Sequence, residues 1–401
     1  MLSVDDARAR ILAALRPTAA EVVALADAWG RVTALPVTAR LDQPPGDVSA
    51  MDGYALYAND GIEGTRLRVA GSAPAGHPWA GTLGHGEALR LFTGSILPPG
   101  ADAILLQEDA TAGDGFVTVN ETVKAGRHIR RAGQDFSVGD ILVPAGRRLG
   151  MRDVGLAAAG NHPWLTVHRR PRVAIAATGD EIALPGEPIP AGGIVSSNAH
   201  ALAAFARALG ADATVLPIVR DDLASIAAAA DAARGADILV TTGGASVGEH
   251  DLVQAGLAER GMALDFWKIA MRPGKPLMFG LLGDLPVLGL PGNPVSALVC
   301  AVLFLLPALA RLAGLAAAAP PVTPAILGAP LPANDHRADH LRARIAPGRN
   351  GIPVATAFER QDSAMLRLLA NADALILRAP HAPQAAAGTE VSVIRLDTLG
   401  L

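Results

Sequence analysis

The chain has 401 residues, half of them apolar, and a formal net charge of −4 at pH 7. This length exceeds what one hydrophobic core usually supports, so we expect about two to four domains. The slightly acidic charge argues against a protein that binds nucleic acid or an anionic membrane, because both need a clustered basic surface. The single cysteine, Cys300, excludes an intrachain disulfide, and we therefore expect a reducing, cytoplasmic location.

The most apolar segment, residues 295–306, contains Cys300 and is followed by Pro307. Its twelve residues fall short of the about 20 that a membrane-spanning helix needs, so we expect a buried core helix and no transmembrane segment. Residues 1–15 place apolar residues at helical spacing among two aspartates and two arginines. That pattern predicts an amphipathic helix and not a signal peptide.

Short elements dominate the first half of the chain. Residues 18–28 predict a second helix, which follows Pro17. From residue 41 to about residue 148, glycine and proline separate short β-like runs, for example residues 66–70, 87–92, 103–107 and 116–120. This stretch therefore predicts a mostly β domain, and residues 152–160 predict a helix after it.

From Arg172 onward, apolar strands alternate with helices. The predicted strands are residues 173–177, 214–219, 238–242, 264–269 and 287–290, and the predicted helices are residues 198–209, 223–234, 252–259 and 295–312. Apolar strands separated by helices indicate a parallel sheet covered on both faces. Ligands of such sheets bind at the carboxyl ends of the strands, where this chain places residues 178–181, 220–222 and 241–251.

The last part of the chain is predicted to be a linker followed by a small β domain. Residues 316–332 are rich in alanine and proline, which is typical of a linker. Short β-like runs follow at residues 341–345, 352–355, 374–378 and 390–395.

A glycine-rich turn follows the predicted strand at residues 238–242. It contains Gly243, Gly244 and Gly248, together with Ser246 and Asp251, directly before a predicted helix. Glycines let the backbone approach a ligand closely, and the first N–H groups of a helix attract an anion. Asp251 could bind a cation beside that anion. A plain strand-to-helix turn also explains the pattern, and the spacing matches neither a dinucleotide-binding motif nor a P-loop.

Residues 266–276 bring three cations close together. Lys268, Arg272 and Lys275 follow at intervals of four and three, in a chain with only three lysines among its 34 basic residues. Like charges held close repel one another, so this stretch favours an anion site. The rigid turn from Pro291 to Pro294 offers further N–H groups for an anion.

Other polar stretches are ambiguous from local sequence. Asp52 before a glycine and Thr93 in a glycine-containing loop are both typical of turns. Asp135 lies near two arginines, which is equally compatible with a surface ion pair. His336 and His340 have helical spacing, but their polar surroundings favour a solvated loop over a metal site. No motif of a serine or cysteine hydrolase is present.

Taken together, these motifs resemble those of one family along essentially the whole chain. Residues 49–54, 92–94, 131–135, 177–181, 242–251, 266–276 and 290–296 are similar, in the same order, to motifs of the molybdopterin molybdenumtransferases, the bacterial MoeA proteins and the E domain of gephyrin. The resemblance implies an α/β multidomain fold. Its implied domains are a discontinuous helical dimerisation domain at residues 1–40 and 149–171, an inserted mostly β domain at 41–148, a parallel-sheet molybdopterin-binding domain at 172–315 and a C-terminal β barrel at 316–401.

The resemblance also implies the reaction and the residues that perform it. Molybdenum from molybdate is inserted into adenylylated molybdopterin, AMP is released, and Mg²⁺ is the expected cofactor. The expected metal ligands are Glu181 and Asp251, and the catalytic candidates are Asp52, Asp135, Glu181, Asp221 and Asp251. The substrate-binding candidates are Thr93, Thr178, Gly243, Gly244, Ser246, Gly248, Lys268, Arg272, Lys275, Pro291, Pro294, Arg337, Arg342 and Ser363.

The family pattern further implies a homodimer, in which the inserted domain of one subunit completes the cleft of the other. An adenylyltransferase that delivers the substrate and molybdoenzymes that accept the product are the expected partner proteins. Arg272 departs from the pattern, which has lysine there, and the C-terminal domain matches weakly. Tungstate has the shape and charge of molybdate, so the sequence leaves the choice of metal open.

Two alternative functions are also compatible with the sequence. The first is adenylylation of molybdopterin by ATP, because a domain similar to residues 172–312 carries that activity. The inserted domain with Asp52 and Asp135 argues against it. The second is a non-catalytic, gephyrin-like scaffold, which we disfavour because the sequence has no long linker and no domain before residue 1.

Overall fold

The computed structural model describes residues 1–244, 252–316 and 319–399, apart from the side chain of Asn350. The chain forms two compact units. The major unit contains Met1–Glu21, Gly30–Ala34 and Val167–Leu401, and the inserted unit contains Val22–Trp29 and Leu35–Thr166.

Short strands are the most frequent elements in the chain up to His168. The helices are α1 (Val4–Ala14) and α2 (Met151–Ala159), and the strands are β1 (Ala20–Ala24), β2 (Val37–Thr38), β3 (Val48–Ser49), β4 (Gly53–Leu56), β5 (Arg66–Ala73), β6 (Glu87–Leu91), β7 (Ala103–Leu106), β8 (Ala110–Gly113), β9 (Phe116–Val119), β10 (Ile129–Arg130), β11 (Ile141–Val143) and β12 (Trp164–His168). Short 3-10 turns lie at Leu25–Asp27, Ala58–Asp60 and Gln107–Asp109.

The main sheet of the inserted unit has the strand order β7-β4-β6-β5-β9-β8. Its strands include the four runs that the sequence predicted, which confirms a mostly β region. The predicted helix over residues 18–28 is wrong, because Ala20–Ala24 forms a strand there. The adjacent β-branched residues Val22 and Val23 prefer extended backbone, and this preference outweighed the helical spacing.

The next part of the chain is an α/β region. Its strands are β13 (Arg172–Ala177), β14 (Ile182–Ala183), β15 (Ile194–Val195), β16 (Asp212–Val215), β17 (Ile238–Thr242), β18 (Met262–Trp267), β19 (Met271–Arg272), β20 (Met278–Leu282) and β21 (Leu285–Leu290). Its helices are α3 (Asn198–Ala208), α4 (Leu223–Ala232), α5 (Leu252–Glu259), α6 (Pro294–Cys300) and α7 (Leu306–Leu312), with a π-helical segment Ala301–Leu305 between the last two. β14 and β15 form a small sheet of their own, and β19 pairs with a strand of the C-terminal part.

The main α/β sheet has the order β16-β13-β17-β21-β20-β18. Strands β16, β13, β17 and β21 are parallel, as predicted. β20 is antiparallel to both of its neighbours and was missed by the sequence analysis. Gly280 interrupts its apolar run, because a Cβ at this position would lie 2.7 Å from the carbonyl oxygen of Ala263 on the neighbouring strand.

Both faces of the parallel strands are buried, which explains their continuous apolar sequences. In β13, Val173 and Ile175 contact the core that includes α1, α3 and α6, whereas Ala174 and Ala176 contact the core with α4 and α5. This alternation fixes the strands between two helical layers. Their carboxyl ends therefore meet at one edge of the sheet.

A long helical stretch runs without interruption from Pro294 to Leu312, which confirms the helix predicted at residues 295–312. The π-helical segment Ala301–Leu305 precedes Pro307 and gives the wider turn that a proline ring needs within a helix. The whole helical stretch from Pro294 to Leu312 has 19 residues, and by length and composition alone it could cross a membrane. However, 78% of the most apolar window is buried inside the fold, as expected for a core helix.

The C-terminal part forms a closed barrel. It contains β22 (Thr323–Leu327), β23 (Ala338–Ala346), β24 (Val354–Ala357), β25 (Ala374–Arg378) and β26 (Glu390–Arg395), with α8 (Leu366–Leu369) and 3-10 turns at Arg349–Gly351 and Asp397–Leu399. The order β23-β24-β22-β26-β25 closes because β25 also pairs with β23. The predicted barrel is confirmed. The predicted linker is wrong over β22, where Pro324 pairs with β26 beyond the end of the β24 pairing.

Gly274 allows a comparison of backbone strain and steric fit. Gly274 (φ 109°) and Gly283 (φ 60°) both have positive φ, but only at Gly274 would a Cβ meet a neighbour, the Sγ of Cys300 at 2.5 Å. Both alanine variants bear the conformational cost, and Gly274→Ala also overpacks the core. We expect Gly274→Ala to lower the free energy of unfolding by about 1–3 kcal/mol more than Gly283→Ala, measured by urea denaturation. Equal losses would contradict the tight packing at Gly274.

Candidate active site

A cleft of about 720 Å³ lies in the major unit at the carboxyl edge of the parallel strands. Seven of the predicted site residues line it together: Thr178, Glu181, Asp221, Gly243, Gly244, Pro291 and Pro294. They come from the ends of β13, β17 and β21 and from the segment after β16. The sheet topology, rather than proximity in sequence, brings them to one place.

The glycine turn after β17 packs tightly against the end of β13. Gly243 and Gly244 have φ values of 95° and 59°. A Cβ on Gly243 would lie 2.5 Å from the Thr178 carbonyl oxygen, and a Cβ on Gly244 would collide with the side chain of Val253. Any other residue at either position would push the turn away from its neighbours. Ser246, Gly248 and Asp251 lie outside the described residues.

The Thr178 hydroxyl faces this turn without a hydrogen-bond partner among the described residues. Thr178 is only 4% exposed, and its Oγ1 would lie 2.8 Å from a Cβ on Gly243. A buried hydroxyl without a partner carries a free-energy cost. Thr178 Oγ1 therefore holds an unused hydrogen-bonding capacity next to the cleft.

Asn198 connects two walls of the cleft. Its Nδ2 donates to Thr242 Oγ1 at 2.9 Å and to the Gly292 carbonyl oxygen at 2.7 Å. The Thr242 hydroxyl in turn donates to the carbonyl oxygen of Pro291 at 3.2 Å. This chain of hydrogen bonds ties the end of β17 to the turn after β21. Asn198 was not among the residues predicted from the sequence, and its local signal is the polar run Ser196-Ser197-Asn198 at the start of α3.

The turn after β21 offers fewer N–H donors than predicted. Pro291 and Pro294 carry no N–H group, and the Val295 N–H donates to the Ser363 carbonyl oxygen at 3.1 Å. Among the described residues of this turn, Gly292 and Asn293 therefore supply the N–H groups available to a ligand.

Acidic side chains gather around the end of β13 and the segment after β16. Burial raises the pKa of the Asp221 carboxyl group, and the charges of Asp180 and Glu181 raise it further. The Asp221 N–H donates to the Asp180 carboxylate at 3.3 Å. The Glu181 carboxylate folds back over Gly179, where a Cβ would lie 2.8 Å from Glu181 Cδ. A positively charged ligand would relieve this concentration of negative charge.

The segment with the three cations, residues 266–276, is called the cationic loop here, and it is anchored beside the same cleft. Lys268 N donates to Leu277 O at 3.2 Å, and Ile269 N donates to Lys275 O at 3.0 Å. Lys268 Nζ lies 4.4 Å from the centre of the Trp267 ring. Lys275 is exposed and directly precedes Pro276, which lines the cleft.

Arg272 differs from the two lysines because it forms an ion pair with an acidic side chain of the same chain. It makes two hydrogen bonds to Asp339, from Nε at 2.9 Å and from Nη2 at 2.8 Å. The Asp339 side chain is 5% exposed and that of Arg272 is 49% exposed. The expectation that all three cations need an external anion is therefore wrong for Arg272, whose charge is balanced by a residue 67 positions away.

The three candidates from the C-terminal region lie in different environments. Arg337 pairs with Asp335 and holds the pKa of that carboxyl group far below its usual range. Arg342 is fully buried, and its Nη1 donates to the Asp362 carbonyl oxygen at 2.7 Å. In this structure Arg342 supports the loop at residues 361–364 from within. Ser363 belongs to that loop, which borders the cleft through Ala364.

His340 is not in a solvated loop as predicted. It lies on β23, where it is 5% exposed. Burial lowers its pKa to about 4, so the imidazole is neutral at pH 7. Within the part of the chain that the structure describes, no group of three His, Cys, Asp or Glu side chains forms a metal site.

In the inserted unit, Asp52 and Thr93 contact each other directly. Asp52 Oδ1 accepts hydrogen bonds from Thr93 N at 2.7 Å and from Thr93 Oγ1 at 2.9 Å. The backbone hydrogen bond from Thr93 is the main cause of the lowered pKa of Asp52. Asp135 is exposed, and the neighbouring Arg131 forms its ion pair with Asp47.

Comparison with known proteins gives matches along nearly the whole chain. Three family models match in order: the MoeA N-terminal region (domain I and II) at residues 2–160, a probable molybdopterin binding domain at residues 174–311 and the MoeA C-terminal region (domain IV) at residues 324–396.

Curated relatives and a solved structure agree with the family models. Molybdopterin molybdenumtransferase 2 of Mycobacterium tuberculosis is 35% identical over 404 residues, 98% of this chain and 99% of that protein. Molybdopterin molybdenumtransferase of Haemophilus influenzae is 37% identical and covers 78% of each chain. The crystal structure of the molybdopterin biosynthesis MoeA protein from Pyrococcus horikosii matches with a TM-score of 0.87 and 29% identity, covering 98% of this chain and 99% of that one.

The acidic cluster makes a prediction about pH. Because the native pKa of Asp221 is raised, the native state loses stability as the pH rises from the unfolded pKa through the native pKa. Asp221→Asn removes this effect. Without divalent cations, it should raise the melting temperature at pH 7 by about 1–2 °C, and the gain should shrink as the pH falls toward 4.

The neighbouring Asp222 provides the comparison. Its charge also raises the pKa of Asp221, but its own pKa is lowered by the hydrogen bond from the Ser225 N–H group, through which it caps α4. Asp222→Asn should lower the melting temperature at pH 7 instead. A loss of stability in both variants would contradict the charge crowding around Asp221.

Proposed function

This chain belongs to the MoeA family of molybdopterin molybdenumtransferases, and we propose that it inserts molybdenum from molybdate into adenylylated molybdopterin with release of AMP. The observation that supports this proposal most is the cleft at the carboxyl edge of the parallel sheet. It combines a glycine turn suited to phosphate, carboxylates suited to a hard cation and a neighbouring cationic loop suited to an oxyanion.

The phosphate groups of the substrate fit the glycine turn. Gly243 and Gly244 let the turn pack against Thr178 and Val253 while it lines the cleft, and Gly292 and Asn293 add N–H donors from the turn after β21. The Thr178 hydroxyl packs against this turn and has no hydrogen-bond partner among the residues that the structure describes. In this proposal, these residues bind and orient the phosphoanhydride.

A Mg²⁺ ion fits the donor set of the cleft. Such sites commonly use one or two carboxylates together with substrate phosphates, so a cage of three protein ligands is not required. Glu181 and Asp221 supply carboxylate oxygens beside the glycine turn, and Asp251 is the further proposed ligand. The ion would neutralise negative charge as the phosphoanhydride breaks.

Molybdate, a doubly charged oxyanion, is the proposed partner of the cationic loop. Lys268 and Lys275 contribute ammonium groups at the two anchored ends of the loop. Arg272 contributes less charge, because Asp339 balances it, but half of its side chain remains exposed. Tungstate would fit the same charges, and competition between the two oxyanions would measure any preference.

The names of the curated relatives favour molybdenum insertion over the alternatives. An adenylyltransferase would transfer AMP from ATP to metal-free molybdopterin, and a scaffold would do neither. The direct test incubates the purified protein with adenylylated molybdopterin, Mg²⁺ and molybdate and follows AMP release together with activation of a cofactor-free molybdoenzyme. Molybdate-dependent release with activation supports the proposal. ATP-dependent adenylylation, or no turnover by the folded protein, would contradict it.

Glu181 provides a more specific test of the site. Glu181→Gln keeps the shape of the side chain and removes its charge, so we expect AMP release to slow by about 100-fold. Glu187→Gln is the control, because Glu187 is exposed in the loop that follows and should leave the rate nearly unchanged. A normal rate for Glu181→Gln would contradict its proposed role. Asp251→Ala should reduce AMP release by a similar factor.

We also propose a cytoplasmic homodimer. Large apolar side chains of the inserted unit are exposed, including Trp29 (71%), Met151 (82%) and Trp164 (58%). Exposed apolar area of this kind is typical of protein interfaces. The single cysteine, Cys300, is buried as a thiol, which agrees with a reducing compartment.

The proposed dimer can be tested by light scattering after size exclusion. The wild-type protein should have twice the mass of the chain, and Trp164→Asp should shift it toward the monomer, because an interface cannot bury an unpaired carboxylate without cost. Val322 in the major unit is also exposed (52%), so Val322→Asp should remain dimeric. A monomeric wild type would contradict the proposal.

A further inference from the structure

One wall of the cleft is apolar and still exposed. Strands β14 and β15 pair in parallel and place Ile182 directly beside Ile194, and both residues line the cleft. Ile194 is 56% exposed, although it is a large aliphatic side chain. The phosphate-binding turn and the carboxylates leave this wall unused. Apolar surface inside a polar cleft suits the flat face of a ring system.

Asn198 adds a directional polar group to the same cleft. Both N–H bonds of its Nδ2 have acceptors, Thr242 Oγ1 at 2.9 Å and the Gly292 carbonyl oxygen at 2.7 Å. A reversed amide would place Oδ1 against that carbonyl oxygen, so the orientation is determined chemically. The polar function that Asn198 retains for a ligand is therefore the acceptor Oδ1.

The side chain of Asn198 is not needed to begin its helix. Ser197 occupies the N-cap position of α3, and no side chain caps the helix. The only hydrogen bond to Asn198 Oδ1 in the described residues comes from Ser197 Oγ, at a long 3.4 Å. A carboxamide oxygen has a second lone pair, so it can still accept an N–H group from a ligand.

We propose that Asn198, with the wall formed by Ile182 and Ile194, is a subsite for a fused nitrogen heterocycle that carries an exocyclic amine. The ring lies against the apolar wall, and the amine donates to Asn198 Oδ1. This inference rests on the proposed function, whose substrate contains two such groups, the pterin and the adenine. The subsite makes Asn198 a specificity-determining residue that the family motifs did not include.

The test compares ligands that differ only in the amine. One pair is AMP and purine riboside 5′-monophosphate, and the other is 6-hydroxymethylpterin phosphate and its analogue without the 2-amino group. Calorimetric titration of the wild-type protein should give about tenfold weaker binding for the member without the amine in one of the two pairs. The pair that responds identifies the ring that occupies the subsite.

Two variants separate recognition from folding. Asn198→Ala should remove most of the preference for the ligand with the amine, because the amine loses its acceptor. A general loss of binding through misfolding would weaken both ligands of a pair and leave the ratio of their affinities unchanged. Ile194→Ser should weaken both members of the responding pair and keep their ratio. Equal binding within both pairs, no binding of any of the four ligands, or a preference that persists in Asn198→Ala would overturn the proposal.

Molybdate-dependent AMP release, measured on the same wild-type protein, distinguishes the two levels of inference. AMP release without a preference for the amine overturns only the subsite. A preference without AMP release supports the subsite and contradicts the proposed function.

Discussion

The close approach of two strand ends at the carboxyl edge of the α/β sheet is the constraint on which the site depends. Gly243 and Gly244 have positive φ and lie so near Thr178 and Val253 that no side chain fits between them. Gly243 and Gly244 also line the cleft, so this contact sets the position of the turn at its edge. The contact exists because β13 and β17 are adjacent, parallel and buried on both faces, which aligns their ends.

Charge is distributed unevenly around this contact. Asp180, Glu181 and Asp221 gather on one side, where burial and mutual repulsion raise the pKa of Asp221. Lys268 and Lys275 lie on the loop before β20, which reaches the cleft at Pro276. A site with separated negative and positive groups suits a reaction in which a phosphoanhydride, a cation and an oxyanion meet. The fold supplies this separation by using the ends of different strands.

The sequence predicted those features that depend on local pattern. The apolar runs of β13 and β17 and the glycine turn are visible within a short window, because burial on both faces and positive φ each restrict residue type. Partners distant in the chain are not visible in this way. The Arg272–Asp339 pair joins residues 67 positions apart, and Asn198 gains its partners only when α3 is placed on the sheet. Local propensity was also insufficient for β22, where barrel closure determines the strand.

The proposed site places ligand phosphates at the carboxyl edge of the sheet, and hydrogen–deuterium exchange is the direct measurement of where they bind. A second cavity, of about 620 Å³, lies at the opposite edge and includes Ala236, Arg260 and Leu285, so the two locations can be distinguished. AMP with Mg²⁺ should slow exchange at residues 178–183, 242–244 and 291–297. Protection at residues 230–236, 259–260 and 282–285 instead would contradict the proposed site.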